Sequence, residues 1–132
     1  MKSQIILCSG GARSGKSEFA ERLALSTEGR KAYVATGQAF DEEMVDRIKK
    51  HQERRGAIWT NFEVPLYLAK EWQNISQSAD VILIDCLTMF TTNHMMAHGS
   101  IQGQQDANDL EEAVLSELES LLSLIASSDG KT

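Results

Sequence analysis

The sequence predicts an α/β fold, a three-layer sandwich with a mostly parallel sheet, and three observations carry that reading. Short apolar runs alternate with helical patterns along the 132 residues, the order that winds a parallel sheet between helices. The first apolar run enters a glycine-rich turn that opens a helix, Gly10-Gly11-Ala12-Arg13-Ser14-Gly15-Lys16-Ser17. A later run, Val81-Ile82-Leu83-Ile84-Asp85, places an acid at the end of a wholly apolar strand pattern.

The elements follow in chain order. Residues 4–9 (QIILCS) read as the first strand, stopped by Gly10. A helix over 16–26 begins at the glycine turn. The β-branched and aromatic residues of 31–36 and 57–62 predict two more strands. Between them Asp41 is a good N-cap for a helix over 41–55, with Glu42 and Glu43 at its positive end. A helix over 66–73 leads to the strand 81–85. Residues 98–106 are polar, contain glycine and read as a loop. The last helix, 108–127, carries the clearest pattern: Leu110, Val114, Leu118, Leu121, Leu122 and Ile125 fall on one face. Asn108 with Glu111 resembles a capping box, and Gly130 supplies a stop. This stripe is core and must pack on a sheet. A helix of this kind normally returns the chain to another strand, and that strand should begin at Lys131-Thr132. The pattern therefore predicts one domain over 1–132, truncated at its C-terminus from a longer protein.

Composition narrows the class. Hydrophobic residues at 42% and charged residues at 24% are ordinary for a soluble globular chain. A net charge of −6 argues against general nucleic-acid binding, which needs a basic face. Cys8 and Cys86 lie in or beside apolar strand patterns and read as buried reduced thiols. No apolar run approaches the roughly 18 residues of a membrane span, and the N-terminus lacks the pattern of a signal peptide. A cytoplasmic location is the default expectation.

The turn Gly10–Ser17 is G-x-x-x-x-G-K-S, the phosphate-binding P-loop, in the strand-to-helix setting it requires. Glycines let backbone N–H groups turn inward onto phosphate oxygens, and the helix N-terminus adds its positive end. Lys16 would reach the β- and γ-phosphates and Ser17 would ligate Mg²⁺. A chance glycine-rich turn is the bland alternative. Asp85 fits the acid that holds Mg²⁺ beside such a loop. A buried strand ending in Asp is common, so this second motif draws its weight from the first.

A third feature is the helix over 41–55. From Arg47 to Arg55 it gathers Arg47, Lys49, Lys50, Arg54 and Arg55 against the single acid Glu53, in a chain that is acidic overall. A solvated basic face is the usual explanation of such a run. Beside a P-loop, a triphosphate partner explains it better. His51 lies in this stripe and also borders the apolar positions Met44 and Ile48. It is either a satisfied core histidine or a nucleophile, since a neutral imidazole can attack phosphorus with cations around it to stabilise charge.

Together GGARSGKS (10–17), ATGQAFDEEMVDRIKKHQERRGAIWTNFEVPLYL (35–68) and LIDCLTMFTTN (83–93) resemble the bifunctional adenosylcobinamide kinase/adenosylcobinamide-phosphate guanylyltransferase family of cobalamin biosynthesis. The resemblance covers nearly the whole chain to about Asn93, and its R-I-x-x-H-x-x-R-R segment is not general to P-loop kinases. It implies a P-loop NTPase-like fold and two reactions. One phosphorylates adenosylcobinamide with ATP or GTP. The other moves GMP from GTP onto the product through a GMP–histidine, giving adenosylcobinamide-GDP. The resemblance makes His51 that histidine. Nucleotide contacts fall on Gln52, Glu53, Arg54 and Arg55, on Ala35, Thr36 and Gly37, and on Glu63 and Asp85, with Mg²⁺ held by Ser17 and Asp85. It also implies a homotrimer with sites between subunits. The family pattern continues past Thr132 with a V-S/T-N-E-V-G segment, a helix and a strand. Two other readings stay open from the residues: a small-molecule P-loop kinase with His51 structural, and a nucleotide-binding module without turnover.

Overall fold

In the computed structural model, which describes residues 2–11, 13–38 and 41–132, strands β1 (Lys31–Ala35), β2 (Trp59–Glu63) and β3 (Val81–Asp85) form one all-parallel sheet. Its order is β2-β1-β3. Helices α1 (Lys16–Ser26), α2 (Glu42–Arg55), α3 (Leu68–Ser78), α4 (Leu87–His98) and α5 (Gly103–Ser127) complete the fold. Parallel neighbours need crossovers; α2 makes the one from β1 to β2 and α3 the one from β2 to β3.

Strand alternation divides the side chains into two layers. On one face Ala32 and Val34 of β1, with Phe62, Ile82 and Ile84, meet Leu68, Trp72 and Ile75 of α3, Phe90 of α4, and Leu118, Leu121 and Ile125 of α5. Phe90, Leu68 and Ile75 are wholly buried there; truncating such residues to alanine costs about 2–5 kcal/mol. On the other face Tyr33, Trp59, Val81 and Leu83 pack against Ala24 of α1. Apolar cover on both faces makes the three layers and accounts for the near-continuous apolar reading of β3.

Several expectations are corrected. Residues 4–9 do not join the sheet. The free edge of β3 is taken instead by the last residue: Thr132 N–H donates to the Asp80 carbonyl (3.0 Å) and Ile82 N–H to the Thr132 carbonyl (2.7 Å). The N-terminal segment ties to this tail, with Gln4 N–H on the Lys131 carbonyl (2.7 Å) and Ser3 Oγ on the Ser128 carbonyl (2.8 Å). Held one place out from β3, Leu7 stays 76% exposed. An apolar cavity of about 510 Å³ opens between Ile5 and Leu7, β3, α1 and α5. Helix α4 has no counterpart among the elements the sequence predicts. Its Thr91 and Thr92 hydroxyls bond back to the carbonyls of Leu87 and Thr88 (both 2.9 Å), so polar side chains satisfy themselves within a helix that lacks an apolar period. Helix α5 starts at Gly103 rather than at 108. Asp106 organises that start, accepting from Gln102 N–H (2.7 Å) and meeting His98 Nε2 (2.8 Å). These two contacts, the Gln102 N–H first, hold the Asp106 carboxyl below its ordinary pKa. Cys8 and Cys86 are free, as expected, and half-buried. Among the described residues no helix is long and apolar enough to cross a membrane.

The loops feeding β1 and β3 are locked by one ion pair. Asp80 accepts from Arg30 Nε (3.2 Å), Nη2 (3.2 Å) and the Arg30 backbone N–H (2.9 Å). Gly29, at φ 125°, lies so close that a Cβ would stand 2.9 Å from the Asp80 Cβ. The Arg30 side chain, then its backbone N–H, lowers the Asp80 carboxyl from 3.8 to about 2. A folded pKa below the unfolded one means that this stabilisation is complete above about pH 4 and is lost as pH falls towards 2. Urea denaturation at pH 5 and pH 2.5 checks this: Asp80→Asn should lower the midpoint at pH 5 and lose less than the wild type on acidification.

Candidate functional site

The glycine turn is built as an anion cradle. Arg13 (φ 57°) and Gly15 (φ 83°) are left-handed, and Ser14 N–H closes back on the Gly11 carbonyl (3.3 Å). Such alternation turns successive N–H groups toward one point. Gly10 lets Ser14 approach closely, since a Cβ there would stand 2.5 Å from Ser14 Oγ and oblige that hydroxyl to turn. Gly15 caps α1 without any side-chain cap, which leaves the first-turn N–H groups open to an anion. The Lys16 ammonium folds over the loop and donates to the carbonyls of Gly10 and Gly11 (both 3.3 Å). Ser17 sits exposed on the first turn. Ala12 lies outside the described residues.

The strand ends bring in the second part. Register aligns Ala35 with Glu63 on one side and with Asp85 on the other, so all three end on one face at the C-terminal edge, where open α/β sheets place their ligands. Asp85, Gly10, Lys16 and Ser17 line one cavity, so the loop and the acid are brought together. The Gly11 carbonyl accepts from Lys16 and from Ser14 N–H, and Ser14 and Gly15 border a second, more open depression beside Lys16.

Around Asp85 the structure shows contacts that the sequence does not signal. The Tyr33 hydroxyl donates to Asp85 Oδ2 in a very short bond. The Arg55 guanidinium lies 3.6 Å above the centre of the Tyr33 ring, and its Nη2 donates to Asn61 Oδ1 (3.0 Å). Trp59 meets the same ring edge-on at 5.9 Å. Burial above all, then the bond to Asp85 and its charge, pushes the Tyr33 phenol up from its ordinary 10.0, with Arg55 opposing. The alternation of β1 puts Tyr33 on the face of Ala35, but nothing in the sequence says that β3 is its neighbour.

Thr36 is wholly buried. Its hydroxyl accepts from Cys86 N–H (2.8 Å) and donates to the Cys86 carbonyl (2.6 Å). Asn93 of α4 donates to the carbonyls of Thr36 (2.6 Å) and Pro65 (3.1 Å). The Thr36 side chain therefore braces the strand ends, and its backbone joins the brace, the N–H donating to the Asp85 carbonyl (3.0 Å). No spacing in the sequence points to Asn93 or to this brace.

Helix α2 stands apart. Asp41 caps it as expected, accepting from Met44 N–H (2.7 Å), and Gly56 closes it on the Gln52 carbonyl (3.2 Å). No residue of α2 is buried. His51 is exposed, which overturns the core-histidine reading. Two of the basic residues are answered within the helix, Arg47 by Glu43 (3.4 Å) and Lys50 by Asp46 (3.1 Å). Of the predicted contacts on this helix, Arg55 reaches the Asp85 cluster, whereas His51, Gln52, Glu53 and Arg54 do not line the cavity beside Asp85.

Residues 6–132 match the family described as cobinamide kinase / cobinamide phosphate guanyltransferase. The chain belongs to that family. Relatives include the bifunctional adenosylcobalamin biosynthesis protein CobP of Pseudomonas aeruginosa, 42% identical over 100 residues, covering 74% of this chain and 58% of the relative. The CobU proteins of the same description are 32% identical over 127 residues in Escherichia coli and 36% over 120 residues in Salmonella typhimurium. Both alignments cover 89% of this chain and 66% of the relative. The chain thus spans between 58% and 66% of the length of these relatives. For this cobinamide kinase / cobinamide phosphate guanyltransferase family member, the match takes in the P-loop, α2 and Asp85 alike.

The raised Tyr33 pKa carries a signed consequence. A proton held more tightly in the folded state stabilises fully below the unfolded value of 10.0 and is lost as pH rises above it. Denaturation midpoints between pH 9 and 11 should fall more for the wild type than for Tyr33→Phe.

Proposed function

We propose that this chain phosphorylates adenosylcobinamide and transfers GMP from GTP to adenosylcobinamide phosphate. The observation that carries the reading is the cavity shared by Lys16, Ser17 and Asp85 in a chain that matches the two-activity family over residues 6–132. The two activities of that family supply the substrates, and the geometry supports a triphosphate site.

In the kinase reaction the N–H groups of the turn and the N-terminus of α1 hold the phosphate chain, with Ala12 and Arg13 part of the same loop. Lys16, free to leave the carbonyls 3.3 Å away, moves onto the β- and γ-phosphates. The substrate hydroxyl attacks the γ-phosphorus, the bond from that phosphorus to the β-phosphate oxygen breaks, the hydroxyl proton passes to solvent, and the nucleoside diphosphate leaves. ATP or GTP serves as donor. The donor set fits Mg²⁺: Asp85 and Ser17 offer hard oxygens, and Mg²⁺ takes few protein ligands beside phosphates and water. When bound, the ion neutralises charge on the phosphate oxygens.

In the guanylyl reaction a His51 ring nitrogen attacks the α-phosphorus of GTP and the bond to pyrophosphate breaks. An oxygen of adenosylcobinamide phosphate then attacks the same phosphorus, breaking the P–N bond and freeing His51. Ala35, Thr36 and Gly37, with Gln52, Glu53, Arg54, Arg55 and Glu63, contact the nucleotide. The chain works in the cytoplasm as a homotrimer, whose subunit contacts bring a substrate to the exposed α2.

Labelled GTP tests both halves. With α-labelled GTP the chain should carry an acid-labile, base-stable label that is absent in His51→Ala. Phosphoryl transfer with no such label would take His51 out of the chemistry; its position away from the cavity that Lys16 and Asp85 line is the observation that favours that narrower kinase reading. Lys16→Ala should slow transfer of γ-labelled phosphate about a hundredfold or more. Unchanged transfer would refute the phosphate loop.

A further inference from the structure

The contacts around Tyr33 join two parts of the site that the proposed function treats separately. Tyr33 is the central residue of the central strand, level with Asn61 on β2 and Leu83 on β3. Its hydroxyl donates to Asp85 Oδ2, and its ring carries the Arg55 guanidinium at 3.6 Å. With Oδ2 engaged, Oδ1 is the oxygen of Asp85 left for a cation, and a donor on one carboxylate oxygen fixes the direction of the other. Arg55 is held between the ring and Asn61 Oδ1, a setting that suits a guanidinium better than an ammonium. Among the described residues the buried Arg55 Nε has no acceptor. The contacts that fix the guanidinium are the ring and Asn61.

We propose that Tyr33 is a positioning residue for both halves of the site. Its hydroxyl orients Asp85 towards the cation that accompanies the triphosphate. Its ring seats Arg55, whose guanidinium takes an anionic oxygen of the nucleotide. The two functions divide chemically, hydroxyl from ring. This inference rests on the nucleotide site proposed above.

The division can be read without turnover. A fluorescent, non-hydrolysable GTP analogue is titrated onto the full chain without Mg²⁺, and then with Mg²⁺ at fixed analogue. Tyr33→Phe keeps the ring, so its Mg²⁺-free affinity should stay within about twofold of the wild type. The Mg²⁺ concentration that gives half the enhancement should rise about tenfold, the usual cost of removing a partner behind a metal ligand. Tyr33→Leu removes the ring as well, and its Mg²⁺-free affinity should fall a further three- to tenfold, the range of a lost cation–π contact. A purely structural tyrosine would move both readouts together, in step with the melting temperature. A wild-type Mg²⁺ response in Tyr33→Phe overturns the hydroxyl's role. Equal losses of both readouts in Tyr33→Phe and Tyr33→Leu overturn the division. A wild-type chain that binds no analogue overturns the nucleotide site itself, and this inference with it.

Discussion

Three strands in parallel register, ending at one level, are the constraint on which the site depends. Because β1 is paired along both edges, residues 33 and 35 dictate what stands beside them: Asn61 and Leu83 at one level, Glu63 and Asp85 at the next. Neighbouring strands lie about 4.8 Å apart, so the two carboxylates flank Ala35 at roughly twice that spacing. A slip of one residue in β3 would send Asp85 to the opposite face, among the apolar side chains of α3 and α5. The brace at the strand ends resists such a slip. Thr36 exchanges two hydrogen bonds with the Cys86 backbone, and Asn93 ties Thr36 to Pro65. At the other end the Arg30–Asp80 pair fixes the loops that enter β1 and β3. The sheet is thus pinned at both ends by buried or paired polar groups, while its faces are held by apolar packing.

Much of this arrangement is legible in the chain's own residues. The bounds of α1 and β3 agree with those the sequence predicts, because the glycine turn and the apolar run mark them sharply. Asp41 has the residue type and place of a cap, and it caps. The spacing of the phosphate-loop glycines points to an anion cradle, and the backbone angles of Arg13 and Gly15 fit that role. What is not legible depends on neighbours. The segment 4–9 has the right residues for a strand, but pairing needs an open edge, and Thr132 occupies the edge of β3. Helix α4 has no apolar period for a reader to find. Tyr33 looks like any aromatic in a strand, since the order β2-β1-β3, with β1 in the middle, is a tertiary fact. His51 sits between an apolar and a basic stripe, and only the exposure of α2 decides against a core role.

The phosphate loop and the acid are held by different means. The loop is shaped by backbone: two left-handed residues, a helix end without a side-chain cap, and a lysine folded back on two carbonyls. Lys16 donates to those carbonyls at 3.3 Å, the long end of hydrogen bonding. Asp85 is instead held by side chains, and its position follows Tyr33. A ligand spanning both therefore meets one rigid partner and one that exchanges weak internal bonds for stronger ones.

Helix α2 completes the picture by what it lacks. A helix of 14 residues with none buried draws little from apolar packing, and helices of such length are marginal alone in water. Its stability must come from its own devices: the Asp41 cap, acids at the first turn, the Glu43–Arg47 and Asp46–Lys50 pairs, and bases at the last turn. Each is worth a fraction of a kcal/mol to about 1 kcal/mol. None of them fixes where the helix points. Arg55 does, because its side chain leaves the helix end and stacks on Tyr33 at the sheet. The basic face that carries His51 is thus hinged to the sheet at the one residue that also touches the Asp85 cluster. Whatever moves or fixes Arg55 moves or fixes this face with it. An exposed helix is thereby tied, through one side chain, to the acid at the strand ends.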